Sequence, residues 1–379
     1  MLVVFIHGWS VTNTNTYGGL PDAVAKNANP ALAIEVANLY LGKYVSFADE
    51  VNVDDIARGM QKAVAVEILP KLSEGERFAC ITHSTGRPVV RKWVDLFFKG
   101  RLNECPMQHL IMLAPANHGS ALAQLGKGRL SRMKFFAEGV QPGIGVLDWL
   151  ELGSDQSWDL SASWLDYACM KAGLYVFVLT GQTIDHNFYD NLNSYTGEAG
   201  SDGVVRVAAA NMNYGLIRLI QQDGSFKLEK QKQPEKFAFG ILPNLSHSGD
   251  EKGIMCSVKS DDGASHPTIN WVLQCLSVNS DAMYKKTVKT LAELTNQTQV
   301  TERSRTTKEL FLFEREFITS RYCMFIFRIV DDRNNNLTDY DVIFTAGSSF
   351  DENHLPPGFF VDRQRNQLNL GKLTYFRLS

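Results

Sequence analysis

Along residues 1–277, short apolar runs alternate with stretches whose apolar positions recur every three or four residues. Leu2–Ile6, Ala33–Leu39, Phe78–Thr82, His109–Leu113, Leu174–Thr180 and Phe237–Leu242 read as short buried strands. Val53–Leu69, Pro88–Phe98 and Thr268–Leu276 have helical spacing; the first stops at Pro70 and the second near Gly100. Strands alternating with helices predict a mostly parallel sheet joined by right-handed crossovers. Leu216–Ile220 and Phe226–Glu229 flank an Asp223-Gly224 step, so a β excursion is expected before the sixth strand.

Two segments break this alternation. Residues 119–173 are too long for an ordinary connection, and they carry Met133, Phe135, Phe136, Trp149, Trp158 and Trp164. They predict a mostly helical cap, inserted over an apolar site. Residues 278–305 are polar and read as a linker with some helix around Met283–Leu294. In 306–379, Tyr322–Val330, Asp341–Thr345, Gly358–Val361 and Leu373–Leu378 lie between turn clusters, which predicts a small β-sandwich. The expected division is therefore 1–277, 278–305 and 306–379.

Composition narrows the class. The 379 residues are 44% hydrophobic and 21% charged, which is enough for a sizeable core and excludes a wholly disordered chain. With 38 basic against 41 acidic side chains the net charge is −3, which argues against nucleic acid as a general partner. Six scattered cysteines form no CxxC pair, so buried free thiols from a reducing compartment are expected. Met1 leads into an apolar run too short, and without the basic flank, for a signal peptide. The expectation is a cytoplasmic chain as synthesised, with delivery outside by a route that needs no signal peptide left open.

Candidate chemistry sits at the strand ends. Phe78–Arg87 runs from a strand through Thr82-His83-Ser84-Thr85-Gly86 into a helix, a nucleophile-elbow pattern with threonine replacing its first glycine. A serine there occupies a strained turn whose neighbours two before and two after must be small. Gly86 fits, and Thr82 is the departure. The next helix would direct its first N–H groups at developing negative charge. Asp202 lies on a glycine-flanked turn, Gly200–Val207, beyond the fifth strand; Asp185, nearer that strand's end, is the rival acid. His247 lies in a small-residue loop directly after the sixth strand, and His266, before Pro267, is the alternative base. The chain order Ser84, Asp202, His247 is nucleophile, acid, base.

On these residues the chain resembles an α/β-hydrolase serine lipase or esterase over 1–277. Leu113–Ser120, Ser201–Val205 and Ser246–Ser248 resemble the corresponding segments of bacterial lipases, and a β-sandwich after the hydrolase part is similar to phospholipase-effector or PGAP1-like lipases. The resemblance implies an α/β-hydrolase fold with a truncated N-terminal edge, because the chain starts at the strand leading into His7-Gly8-Trp9. It implies the backbone N–H groups of Trp9 and Thr85 as oxyanion donors, with structural roles for the His7 and His118 side chains. It also implies a lipid or phospholipid ester substrate, acyl transfer through Ser84, and no metal or organic cofactor. A C2-like tail would touch a membrane peripherally, and a toxin of this kind would have a cognate inhibitor protein. Asp331, Asp332, Asp339 and Asp341 cluster around one turn; oxygen-rich loops can hold Ca²⁺, but the spacing matches no EF-hand, so a solvated acidic loop is expected and a Ca²⁺ site stays open as the alternative. Two readings stay open: an inactive hydrolase-fold binding protein, and an esterase for a non-lipid polar substrate. Hydrolysis and acyl transfer to another alcohol use the same residues.

Overall fold

Strands buried on both faces read as unbroken apolar runs, and five of the six central strands here do so. The computed structural model describes residues 1–7, 17–45, 50–84, 86–123, 143–184, 198–302, 304–309, 313–318, 321–349, 351–356 and 359–378. In chain order the first strands are β1 (Leu2–His7), β2 (Glu35–Tyr40), β3 (Phe78–His83), β4 (Met107–Leu113), β5 (Tyr175–Thr180), β6 (Leu216–Gln222), β7 (Ser225–Lys232) and β8 (Ala238–Ile241). Six of them form one parallel sheet in the order β2-β1-β3-β4-β5-β8. The expected β excursion is the antiparallel hairpin of β6 and β7, which leaves Ile217, Leu219, Phe226 and Leu228 exposed.

Among the described residues the α-helices of seven residues or more are α1 (Leu20–Asn27), α2 (Val53–Ala63), α3 (Gly86–Phe98), α4 (Ile144–Leu150), α5 (Asp155–Trp164), α6 (Pro267–Leu276) and α7 (Asp281–Thr301). Alternate residues of each strand feed two cores. Leu2, Val4 and Ile6 of β1 face α2, α3 and the α4–α5 segment; Val3 and Phe5 face α1, α6 and α7. Asn52 starts α2 with a capping box completed by Asp55, and the helix runs on through a π turn, Val64–Ile68, to a 3-10 turn containing Pro70. This is the α/β-hydrolase architecture expected above. Among the described residues no helix is long and apolar enough to cross a membrane.

The segment expected to form a cap is described over 119–123 and from 143 onward, and much of the latter part is core. Trp149 and Trp164 are fully buried. Trp164 stacks on the Arg91 guanidinium of α3 at 4.9 Å, and Ser163 and Tyr167 both donate to Asp95 at 2.5 Å. Met133, Phe135 and Phe136 lie outside the described residues.

The segment read as a linker with helix around Met283–Leu294 is mostly helix, α7, and its packing gives the reason. The strand β8 is at the edge of the sheet, with free backbone groups on one side. Tyr284, Leu291, Thr295 and Thr298 line one stripe of α7 and cover that edge. The Tyr284 hydroxyl donates to the Val176 carbonyl at 2.7 Å and accepts the Ala238 N–H at 3.2 Å. Thr295 Oγ1 accepts the Ile241 N–H at 3.1 Å, and Thr298 Oγ1 donates to the Ile241 carbonyl at 2.9 Å. Leu291 fills the space above Gly240. A polar sequence conceals this helix because its buried stripe is hydroxyl-rich.

Beyond α7 the chain is antiparallel β. Two strands, β9 (Ser304–Glu309) and β10 (Phe313–Ile318), pair as a ribbon, and β11 (Tyr322–Arg328), β12 (Phe360–Arg365) and β13 (Lys372–Leu378) form a sheet in the order β11-β13-β12. The strand expected at Asp341–Thr345 is irregular instead. Arg363 holds Asp341 at 2.7 Å, Arg365 takes the Tyr340 carbonyl at 3.0 Å, and Phe344 packs among Phe327, Phe360 and Tyr375. These side-chain bonds replace a ladder. The inner face of the sheet is mixed, with Met324 and Phe376 beside polar groups, and polar bonds help to dock it: Lys372 and Asn369 donate to Asp155 at 2.6 and 2.8 Å, and Asn366 to the Leu152 carbonyl at 3.1 Å.

Truncating a packed leucine leaves a cavity. Leu291→Ala is expected to lower stability by about 2–5 kcal/mol, read as a shifted midpoint in urea unfolding. An unchanged midpoint would show that α7 does not hold the edge of the sheet.

Candidate active site

Loops at the carboxyl ends of β3, β5 and β8 meet at one point. The Ser84 backbone has φ +48°, a region non-glycine residues rarely adopt, and follows directly on β3. The sharp turn is possible with Thr82 because the crowding is relieved on the other side. A Cβ on Gly86 would lie 2.5 Å from Thr82 Oγ1, so glycine at 86 makes room for threonine at 82. The Ser84 N–H donates to the Leu113 carbonyl at 3.2 Å, and α3 begins two residues later.

His247 Nε2 lies 3.1 Å from Ser84 Oγ, and His247 Nδ1 lies 3.0 Å from Asp202 Oδ2. All three side chains are buried. A carboxylate only accepts, so Asp202 accepts a hydrogen bond from Nδ1–H and leaves Nε2 free to accept from the serine hydroxyl. The second carboxylate oxygen, Oδ1, accepts the N–H groups of Val204 and Val205 at 3.0 and 2.7 Å. The His247 N–H donates to the Asp202 carbonyl at 2.8 Å, so the acid and base loops are also tied through the backbone. His83 Nε2 donates to the His247 carbonyl at 3.2 Å, its ring 4.7 Å from the His247 ring.

The loops are held from below. The Asp202 loop closes on itself through Val207 N–H to Gly200 carbonyl at 2.9 Å. Arg206, at its base, bonds Glu198 twice at 2.8 Å and Asp362 of β12 at 2.5 Å. Burial works against the Arg206 charge, but the two carboxylates outweigh it and hold the guanidinium above its ordinary pKa. The loop carrying His247 is held by Glu302, just past α7. Its carboxylate accepts from the Asn244 N–H and, at 3.3 Å, from Thr183 Oγ1.

Of the residues predicted from sequence, Ser84, Asp202 and His247 come together. The rival base His266 caps α6 instead, bonding the Thr268 N–H at 3.2 Å. The rival acid Asp185 lies outside the described residues, as do Trp9 and Thr85. His7 is buried between Asn38, at 2.9 Å, and the stacked Tyr40 ring; burial lowers its pKa, with the Asn38 bond opposing. His118 packs edge-on to Tyr214 and bonds the Asn211 carbonyl at 3.1 Å. Among the described residues no group of three or more His, Cys, Asp or Glu side chains is arranged to hold a metal ion. Of the tail acids, Asp331 closes its own turn on Asn335 and Arg333, and Asp341 pairs with Arg363. Sequence reasoning missed Glu198, Arg206, Glu302 and Asp362, whose partners are unpredictable from spacing; only the position of Arg206 at the end of the acid loop was a visible signal.

No family model matches the sequence, and no curated protein matches it significantly. Solved structures do. Phospholipase PlaB from Legionella pneumophila is 56% identical over the whole of this chain and 80% of its own, with a TM-score of 0.93. The same enzyme in complex with thio-NAD gives 55% identity, the same coverage and a TM-score of 0.91. At that identity and coverage the chain belongs to the family of phospholipase PlaB and shares its α/β-hydrolase fold.

Proposed function

We propose that this protein is a phospholipase that hydrolyses carboxylic esters of phospholipids through Ser84, His247 and Asp202. The observation that carries the chemistry is the buried relay, Ser84 Oγ to His247 Nε2 at 3.1 Å and His247 Nδ1 to Asp202 at 3.0 Å. Kinship with phospholipase PlaB carries the substrate class. The reading that Thr82 distorts the elbow and leaves an inactive binding protein loses its support, because Gly86 absorbs the extra bulk.

In the proposed mechanism His247 removes the Ser84 proton as Oγ attacks the ester carbonyl. The histidine then gives that proton to the leaving alcohol or lysophospholipid oxygen. Water, deprotonated by the same nitrogen, attacks the acyl-enzyme and releases the fatty acid. Asp202 fixes the Nδ1–H tautomer and stabilises the imidazolium. The Trp9 and Thr85 N–H groups are the proposed oxyanion donors, each worth about 3–4 kcal/mol of barrier. No step passes through a dinucleotide. A phospholipid substrate sits in a bilayer, so the reading includes peripheral contact with a membrane surface.

Ser84→Ala and Asp202→Asn are each expected to lower kcat roughly 10⁴-fold or more, measured on phospholipid vesicles by fatty-acid release. Full activity in folded Ser84→Ala would sink the mechanism. The wild type should also release fatty acid faster from vesicles than from soluble short-chain esters. Activity confined to short esters would assign the same triad to a polar-substrate esterase. Gly86→Ala should cost activity because its Cβ meets Thr82, and Thr82→Gly in the same chain should restore it. Failure of that rescue would show that the elbow is not relieved at these two positions.

A further inference from the structure

The Arg206 cluster plays no part in the reaction above, yet it lies at the base of the loop that carries Asp202. Ser201 and Arg206 pair as an antiparallel bridge, which makes Gly200–Arg206 a closed turn with the carboxylate inside it. Arg206 is buried, bonded to Glu198 and Asp362, and its guanidinium lies 4.3 Å over the Phe376 ring. On the other leg of the turn, Gly200 has φ +79°, and a Cβ there would lie 2.2 Å from the Tyr322 ring. Glu198 belongs to the same stretch of chain. Tyr322, Asp362 and Phe376 come from β11, β12 and β13 of the C-terminal sheet, one from each strand. They lie on its inner face: Asp362 and Met324 both pair in register with Phe376.

We propose that Asp362 is a positioning residue: through Arg206 it fixes the Gly200–Arg206 turn and so aims the Asp202 carboxylate at His247. This rests on reading Ser84, His247 and Asp202 as the catalytic relay. The C-terminal sheet then sets the geometry of the acid in addition to packing on the hydrolase part. Two observations separate this from plain adhesion. The sheet has other anchors well removed in sequence from the acid loop, at Asp155, Leu152 and Glu151, so it stays docked without Asp362. Arg206 keeps both bonds to Glu198, so removing the Asp362 charge leaves no unpaired buried cation. What changes is the restraint on the turn.

The test is a double-mutant cycle in the full chain: wild type, Asp362→Asn, Asp202→Asn and the double variant. Each is assayed on a soluble nitrophenyl ester and on phosphatidylglycerol vesicles, with rates scaled to the folded fraction from thermal unfolding. Asp362→Asn is expected to lower kcat about tenfold, as small misplacements of catalytic groups do, with KM unchanged. Asp362→Glu should restore most of the loss. In the Asp202→Asn background the same change should alter kcat by less than about twofold, because residues acting through one group are not additive. Wild-type kcat in Asp362→Asn overturns the proposal. So does a tenfold loss that recurs in full beside Asp202→Asn, since that is the signature of a structural role. Tyr322→Ala, taken through the same cycle, carries the test if Asp362→Asn does not fold. Undiminished activity in Ser84→Ala is a different failure: it removes the catalytic reading and leaves the Arg206 contacts in place.

Discussion

A carboxylate without access to water must have its charge answered from inside the protein. Asp202 is answered three times: by the N–H groups of Val204 and Val205 and by His247 Nδ1. The first two donors exist only because the chain turns back on itself at Gly203. The third exists only because the base loop lies against that turn, with its own backbone N–H on the Asp202 carbonyl. Satisfying one buried charge therefore fixes the shape of the acid loop and the location of the base loop together. Ser84 needs less help, since a strand on one side and a helix on the other hold its turn.

The base loop depends on something less robust. It follows β8, the last strand of the sheet, and a four-residue edge strand has no partner on one side. The helix α7 supplies that partner through the hydroxyls of Tyr284, Thr295 and Thr298. Its first residue beyond the helix, Glu302, then reaches both Thr183 after β5 and Asn244 before His247. The helix thus closes the edge of the sheet, and the carboxylate behind it closes the loops above.

What was legible in the sequence follows the same division. The central strands were readable because burial on both faces leaves apolar runs. Ser84 and His247 were readable because each follows such a run on a turn rich in small residues, and Asp202 because it sits on a glycine-flanked turn before an apolar run. The helix α7 was legible only over Met283–Leu294 and not along its full length, because only Tyr284, Leu291 and Thr298 of its twenty-one residues are buried and two of those are polar. Arg206 and Asp362 were not, because 156 positions separate them and a buried arginine looks like a surface one until its partners are known. The cap was half misread: tryptophans at 149 and 164 suggested a lipid-facing surface, and both pack into the core against α2 and α3.

The polarity of the C-terminal interface bears on how the two parts work together. An apolar seam would hold the sheet to the hydrolase core at least as firmly, because desolvating ions offsets much of their attraction. Apolar contacts, however, tolerate sliding. The bonds of Lys372 and Asn369 to Asp155, of Asn366 to Leu152 and of Asp362 to Arg206 are satisfied in a single register of one surface on the other. Sliding the sheet by one residue, about 3.3 Å, carries these donors out of hydrogen-bond reach and breaks all of them at once. Charged groups inside this interface therefore fix the register of the sheet, and the acid loop is the part of the active site built directly against it.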